Sequence, residues 1–222
     1  MLSSSRARSV ILSESEGSVP PVSTTSSRFA VRSVEARELA GPLRDQAINV
    51  FAAALGFARR GARVRNFADI LRRHATYKGF KAFGAFNPQG RLVGFSYGYT
   101  SQPGLWWREQ VAAPLSPEQR QDWLGDAFEL AELHIHPSAQ GFGLGSHLHD
   151  QLIDSLTHRT AILSVMHRSQ RARQLYTSRG WQTLIDDLRF STEPSTPFSL
   201  LGLRRPTADR PSHRLTILEQ EA

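Results

Sequence analysis

The chain contains no cysteine among its 222 residues. It therefore has no disulfide framework, no thiolate metal site and no cysteine nucleophile, which fits a reducing compartment. It also lacks any apolar run near the roughly 20 residues of a membrane span, and the run from Val10 to Leu12 is too short for a secretory signal. From these absences we expect a cytoplasmic protein without a membrane partner.

Acidic residues are outnumbered, with 27 lysines and arginines against 20 carboxylates and a net charge of +7. A basic balance indicates an anionic partner, and nucleic acid, a membrane surface and a phosphorylated cofactor all carry such charge. The arginines are spread along the chain, and the sequence has no recognisable nucleic-acid recognition helix or base-stacking motif. We therefore expect no nucleic-acid partner. A basic protein that binds nucleic acid stays an alternative functional class.

The two ends of the chain differ in composition from its middle. Residues 1–27 are rich in serine and read as a solvated tail, and residues 204–222 read as a second polar tail. Residues 28–203 carry the periodic apolar positions, enough for the core of one domain.

The apolar spacing predicts the element order β-α-α-β-β-β-α-β-α-β-β. Helical spacing covers 36–60 and the neighbourhood of Phe67, and two alternating segments around the turn at 87–90 predict a hairpin. Residues 101–125 read as an insertion or lid with a short helix after Ser116 and Pro117. Strands are expected at 128–136, 161–166, 181–190 and 198–203, and helices at 144–158 and 170–179. This order predicts an α/β (α+β) fold, a single domain with a mixed sheet of six to seven strands and helices on both faces.

A glycine-rich turn, QGFGLG at 140–145, lies where a strand passes into a helix. Glycine allows a positive φ and a close backbone approach, and the helix start presents free N–H groups that hold phosphate. A P-loop would need Lys-Ser or Lys-Thr after the last glycine, but Ser146-His147 follows, and the spacing also departs from the dinucleotide fingerprint. A tight turn without a ligand is the remaining alternative.

Two motifs resemble those of the GNAT superfamily of N-acyltransferases. HPSAQGFGLGSHL is similar to its signature Q/R-x-x-G-x-G/A, and ARQLYTSRGW at 172–181 resembles its second motif, with tryptophan in place of phenylalanine. The motifs lie one strand apart, as in that family, and the resemblance covers about residues 28–203. One departure is Ser169, where many members carry asparagine. The matching residues are Pro137, Gln140, Gly143 and Gly145 in the first motif and Ala172, Leu175, Tyr176, Gly180 and Trp181 in the second.

The resemblance implies acetyl-CoA as cosubstrate and direct attack of an amine on its thioester. Backbone N–H groups on the strand before the turn would bind the pantetheine arm and polarise the thioester carbonyl. The turn and the start of its helix would hold the pyrophosphate. The cofactor-binding residues expected on this basis are Leu133, His134, Ile135, Gln140, Gly141, Phe142, Gly143, Leu144, Gly145, Ser146 and Ser169.

The resemblance also implies two catalytic residues. Counting back from Gln140 places Glu129 at the position of the family's general base, and Tyr176 would donate a proton to the departing thiolate. Glu132 is the second candidate base. It would point to the opposite face of a regular strand, but a β-bulge could swap the two facings. A surface carboxylate at 129 and a packing aromatic at 176 are the structural alternatives.

Several questions stay open at this stage. The acceptor is expected to be a small-molecule primary amine, with a peptide N-terminus or a protein lysine as alternatives, and a non-catalytic acyl-CoA-binding module is the competing class.

We expect no metal site, because His147 and His149 diverge on a helix and cannot join His134 and His136. Trp106, Trp107 and Trp123 either wall the acceptor site or pack the insertion onto the body. A homodimer is compatible with the family but has no signature here.

Overall fold

Seven strands form one mixed sheet in the computed structural model, which describes residues 28–205. The tail expected at 1–27 lies outside the described residues, as does the second tail from residue 206 on. The strands are β1 Ala30–Ser33, β2 Lys81–Phe86, β3 Leu92–Thr100, β4 Ala127–Ile135, β5 Thr160–Met166, β6 Gln182–Leu188 and β7 Phe198–Arg204. The helices are α1 Ala36–Leu39, α2 Arg44–Leu55, α3 Ala62–His74, α4 Trp106–Ala112, α5 Pro117–Leu124, α6 Leu144–Asp154 and α7 Gln170–Thr177.

The strand order across the sheet is β1-β2-β3-β4-β5-β7-β6. β4 and β5 are parallel to each other, and the other five neighbouring pairs are antiparallel. This confirms the predicted mixed sheet in a single α/β domain.

Helices cover both faces of this sheet. Phe95, Tyr97 and Tyr99 of β3 share a buried cluster with residues of α2 and α3. Ser96, which points the other way, donates from Oγ to the carbonyl of Leu148 in α6 at 3.1 Å. The first face therefore carries α2 and α3, and the opposite face carries α6.

The helical stretch predicted over 36–60 is divided in two. α1 ends at Leu39, and α2 begins at Arg44, after Gly41 and Pro42. Proline has no N–H to donate within a helix, so the pair separates the two helices. α2 then ends at Leu55, and its C-cap residue Gly56 has the left-handed φ of 68° that favours glycine. Phe51 of α2 stacks on Phe67 of α3, with ring centroids 3.9 Å apart.

The segment at 101–125 forms two helices, of which the sequence predicts only α5. Ser116 and Gln119 form a reciprocal capping box at the start of α5. α4 has no side-chain cap at Leu105, so the sequence carries no start signal for it.

The three tryptophans of this segment pack mainly onto the body of the protein. Trp123 is buried in the cluster that α4 and α5 form with the sheet, and Trp107 donates from Nε1 to Oγ of Ser164 on β5 at 3.1 Å. Trp106 is 50% exposed and lies 5.7 Å from the ring of Phe190. For Trp107 and Trp123, packing is therefore the reading that the contacts favour.

Candidate functional site

β4 and β5 are paired over only three residues. Their register joins 127–129 to 160–162, and beyond Glu129 and Ile162 the strands are no longer paired. The N–H of His136 donates to Val93 of the β3 side at 2.8 Å. Because N–H groups alternate along an antiparallel strand, those of Leu133 and Ile135 point away from β3 and into the seam between β4 and β5. Within residues 28–205, the seam therefore presents backbone donors that no neighbouring strand pairs, as a ligand with amide carbonyls requires.

A β-bulge in β4 places the two glutamates on one face of the sheet. Glu132 pairs with Tyr97 and Leu130 pairs with Gly98, so Ala131 is the additional residue. Glu129 pairs with Tyr99, and it therefore lies on the same face as Glu132. A regular strand would have separated the two side chains. The sequence allowed a bulge that would exchange the faces of the two glutamates. The observed bulge instead brings both side chains to the face covered by α2 and α3.

The glycine turn adopts the conformation that its composition predicts. Gly141 and Gly143 have φ values of 84° and 75°, and a Cβ at either position would meet no atom within 4 Å. The space beside their backbone is therefore open to a ligand. α6 begins directly after Gly143, and its first bond outside the turn runs from the N–H of His147 to the Gly143 carbonyl. Helix geometry leaves the N–H groups of Leu144, Gly145 and Ser146 without intrahelical acceptors.

Gln140 has a structural contact inside the turn. Its Nε2 donates to the carbonyl of Ile135 at 3.1 Å, which ties the loop back to the end of β4. Phe142, by contrast, points outward and is 52% exposed, with its ring 5.4 Å from that of Phe29.

A cleft of about 600 Å³ joins the seam, the turn and the start of α7. It brings together ten of the eleven predicted cofactor-binding residues and Tyr176, whereas Phe142 and Glu129 do not line it. Ser169 is the N-cap residue of α7, without a side-chain capping bond, and faces the cleft. Arg168 and Arg171, which the sequence analysis did not single out, flank it and add positive charge. The predicted residues on the cleft wall are Leu133, His134, Ile135, Gln140, Gly141, Gly143, Leu144, Gly145, Ser146 and Ser169.

Tyr176 enters this cleft from α7. It is 6% exposed, and burial together with the Glu132 carboxylate raises the pKa of its phenol well above the ordinary value. The hydroxyl therefore keeps its proton at neutral pH and can act as a donor.

A hydrogen-bond network that runs from the buried His149 to the surface holds the ring of Tyr176 in place. Trp181 donates from Nε1 to Nε2 of His149 at 2.9 Å, and Nδ1 of His149 lies 2.8 Å from Asp150. Arg179 binds both oxygens of Asp150, at 2.6 and 3.1 Å. The rings of Trp181 and His149 lie 5.6 and 5.9 Å from that of Tyr176. Both nitrogens of His149 thus have partners, and the residue has a packing role.

Glu129 is buried behind the cleft, with 3% of its surface exposed. The hydroxyl of Tyr99 donates to its Oε1 at 2.7 Å, whereas Oε2 has no hydrogen-bond partner among residues 28–205. Burial raises its pKa to about 8, with a smaller contribution from Glu132, although the bond from Tyr99 and the charge of Arg108 act against it. With this pKa the carboxyl group is mostly protonated at neutral pH, and once it is ionised it can accept a proton at Oε2.

Glu132 is the more accessible carboxylate. Its Oε2 lies 2.5 Å from Nε2 of His134, and its side chain is partly exposed. The His134 ring packs edge-on against Phe51 at 5.2 Å, so the pair lies beside α2.

Three polar residues around Glu129 were not predicted from the sequence. His74 of α3 lies within hydrogen-bond distance of both Tyr97 and Tyr99 of β3. The alternation of Tyr97 and Tyr99 indicates one shared face. Nothing local, however, predicts that the end of α3 reaches them.

None of the helices between residues 28 and 205 has both the length and the apolar composition of a membrane span. Within residues 28–205, no three histidine, aspartate or glutamate side chains converge as a metal site would require.

Comparison with known proteins identifies the family. The family model of the acetyltransferase (GNAT) family matches residues 62–181. A GCN5-like protein acetyltransferase of Mycobacterium tuberculosis is 34% identical over 126 residues, which make up 52% of this chain and 59% of the relative. The alignment therefore spans less than two thirds of that relative's length.

Solved structures share the fold at low sequence identity. The ribosomal-protein-S18-alanine N-acetyltransferase of Escherichia coli is 17% identical, with a TM-score of 0.54 over 82% of this chain and 97% of the other. A Salmonella typhimurium protein solved with its cofactor acetyl-CoA is 14% identical, with a TM-score of 0.53 over 79% of this chain and 93% of the other. Since the family model covers more than half of the sequence and these structures share its architecture, the chain belongs to the GNAT acetyltransferase family.

Proposed function

We propose that this protein transfers an acetyl group from acetyl-CoA to a primary amine by direct attack, without an acyl-enzyme. The observation that carries the proposal is the open seam between β4 and β5. It offers the N–H groups of Leu133 and Ile135 on one side and ends at the free N–H groups that open α6. A pantetheine arm with its amides fits the first feature, and a pyrophosphate fits the second.

The residues of this chain supply binding and proton transfer. When bound, acetyl-CoA supplies the acetyl group and a thiolate leaving group. Leu133 and Ile135 would orient the arm and polarise the thioester carbonyl through their N–H groups. Arg168 and Arg171 lie on the cleft wall and would bind phosphate groups there.

Two protons are handled by two side chains. Glu129 would accept a proton from the amine at its unpartnered Oε2, and Tyr176 would donate its hydroxyl proton to the departing sulfur. Glu129 is the preferred base, because its raised pKa lies near the working pH. An incoming ammonium group would favour its ionised form. Glu132, on the same face and partly exposed, is the alternative base.

A small-molecule amine is the first acceptor class that we propose. A protein lysine is the second, because the Mycobacterium tuberculosis relative is named a protein acetyltransferase. A cytoplasmic location and a homodimer, both compatible with the sequence, stay predictions.

The test is release of free thiol from acetyl-CoA with a panel of acceptors. The panel includes alkyl diamines, aminoglycosides, a peptide with a free N-terminus and the same peptide with an internal lysine and a blocked N-terminus. We expect thiol release above background hydrolysis with at least one acceptor, and its loss in Tyr176→Phe. CoA binding by calorimetry, without thiol release for any acceptor, would instead favour the non-catalytic module. Absence of CoA binding would overturn the proposal.

A further inference from the structure

The side chains behind Glu129 form a chain of hydrogen bonds with one direction. Tyr99 donates its only hydroxyl proton to Oε1 of Glu129 at 2.7 Å. Its oxygen lies 3.4 Å from Nε2 of His74, and because the proton is already used, Tyr99 must act there as acceptor. Nε2 of His74 therefore carries the imidazole proton.

The other nitrogen of His74 completes the chain. Nδ1 is the unprotonated nitrogen of a neutral imidazole whose proton is on Nε2, and it lies 3.3 Å from the hydroxyl of Tyr97. Tyr97 can only donate to it. The order of donation is therefore from Tyr97 to His74, from His74 to Tyr99 and from Tyr99 to Glu129, and every donor in it has one acceptor.

This arrangement constrains the carboxylate of Glu129 on one side only. Oε1 is held, and Oε2 is buried without a partner among the described residues. We propose that Tyr99 and His74 are positioning residues of the reaction: His74 orients the Tyr99 hydroxyl, which holds Oε1 and leaves Oε2 to take the proton of the acceptor amine. The inference rests on the proposed function for its role in catalysis, but the hydrogen-bond chain itself can be tested without activity.

Burial keeps the members of this hydrogen-bond chain uncharged, apart from Glu129. The pKa of His74 falls to about 4 because burial disfavours its charged form and Arg73 repels it, so the ring is neutral at pH 7. Burial also raises the pKa values of Tyr97 and Tyr99, and both keep their protons. The charged and titratable groups around the chain are Arg73 beside His74, Glu132 on β4, Arg108 on α4 and Tyr77 after α3.

The first variant removes the last donor. Tyr99→Phe keeps the ring but deletes the bond that stabilises the charged form of Glu129, so the pKa of Glu129 should rise further. Because a hydrogen bond to a charged group is stronger than one between neutral groups, the rising limb of kcat/KM should move to higher pH by about one to two units. A residue that only supported packing would lower activity without moving this limb.

His74 provides a graded second test. His74→Phe removes the donor to Tyr99 and should move the limb in the same direction by less. His74→Gln retains an amide N–H that can reach Tyr99 and should restore the wild-type profile. Tyr77→Phe is the matched control, because Tyr77 contacts His74 and Tyr99 through its ring, and phenylalanine retains that ring.

A readout independent of turnover separates this inference from the proposed function. The ionisation of Glu129 can be followed by comparing the pH dependence of unfolding free energy in each variant with that of its Glu129→Gln double variant. A higher ionisation midpoint in Tyr99→Phe and His74→Phe, but not in Tyr77→Phe, would support the chain even if no acceptor is found. Equal midpoints in all variants would overturn it. If Tyr99→Phe fails to fold, the ionisation midpoints of Glu129 in His74→Phe and His74→Gln provide the same comparison.

Discussion

Burial of Glu129 should make the protein less stable as pH rises, and Glu129→Gln should remove this loss. The folded pKa of about 8 lies above the ordinary 4.5, so the folded state holds a proton that the unfolded chain has already released. A group with a raised pKa stabilises the fold fully at low pH, and its contribution is lost as pH rises through the folded pKa. The relevant window is therefore about pH 4.5 to 8.

The magnitude follows from the same two pKa values. Over the whole interval between the two pKa values, ionisation of Glu129 lowers the unfolding free energy by about 5 kcal/mol, an upper value for a buried group. Between pH 6 and pH 9 the loss of unfolding free energy is roughly 2.5 kcal/mol. For a domain of this size that corresponds to a change in Tm of about 5–10 °C. The Glu129→Gln variant has no titratable group at this position, so its unfolding free energy lacks the pH-dependent contribution of Glu129. The buried amide of glutamine adds a cost, but that cost does not change with pH.

The assay is urea unfolding of wild type and Glu129→Gln at a series of pH values. We expect the difference in unfolding free energy to move in favour of the variant as pH rises, with the steepest change between about pH 5.5 and 7 and a levelling off above about pH 8. Asp45→Asn is the control, because this carboxylate on α2 is largely exposed and its removal should leave the difference nearly constant. Parallel curves for wild type and Glu129→Gln would refute the reasoning, because they would mean that the carboxyl ionises as it does in water.

Three further outcomes follow from the site and its supports. Gly143→Glu should abolish CoA binding in calorimetry while the protein stays folded. The glutamate places a side chain where φ is 75° and a negative charge where the negatively charged pyrophosphate is expected. An unchanged affinity for CoA would remove the turn from the cofactor site. Tyr176→Phe should lower kcat by about 10²–10⁴-fold with little change in the KM for acetyl-CoA, and a wild-type kcat would exclude it as the donor. Trp123→Ala should destabilise the protein by about 3–5 kcal/mol in urea unfolding, because the indole is buried under Arg204; a loss below about 1 kcal/mol would mean that α5 packs loosely.

The features that the sequence predicted well are those encoded within a few residues. The glycine turn, the strand before it and the helix after it depend on local backbone preferences, and the place of Tyr176 on α7 follows from helical spacing, whereas its catalytic role stays a prediction. The hairpin is similar, since Asn87 supplies both a turn residue and a side-chain acceptor for two backbone N–H groups. Short-range chemistry of this kind is readable from one sequence.

The features that escaped prediction depend on how separate elements meet. α4 has no capping side chain, and its apolar residues are explained only by the sheet that it covers. His74 reaches Tyr97 and Tyr99 because α3 packs across β3, a contact with no sequence signature. The facing of Glu129 could not be assigned either, because a bulge changes it and the bulge is set by pairing with β3.

The bulge at Ala131 would let one strand contact both substrates of the proposed reaction. On the β5 side of β4, the N–H groups of Leu133 and Ile135 have no strand partner among the described residues and would bind a pantetheine arm in the proposed function, while both glutamates turn to the face of α2 and α3. In an unbulged strand one of the two would instead lie against Phe128 and the apolar cluster beneath α6. An unpaired carboxylate there would cost several kcal/mol or stay protonated. The extra residue therefore places both candidate bases where Tyr99 and His134 can bond them, on the side from which an acceptor would approach the seam.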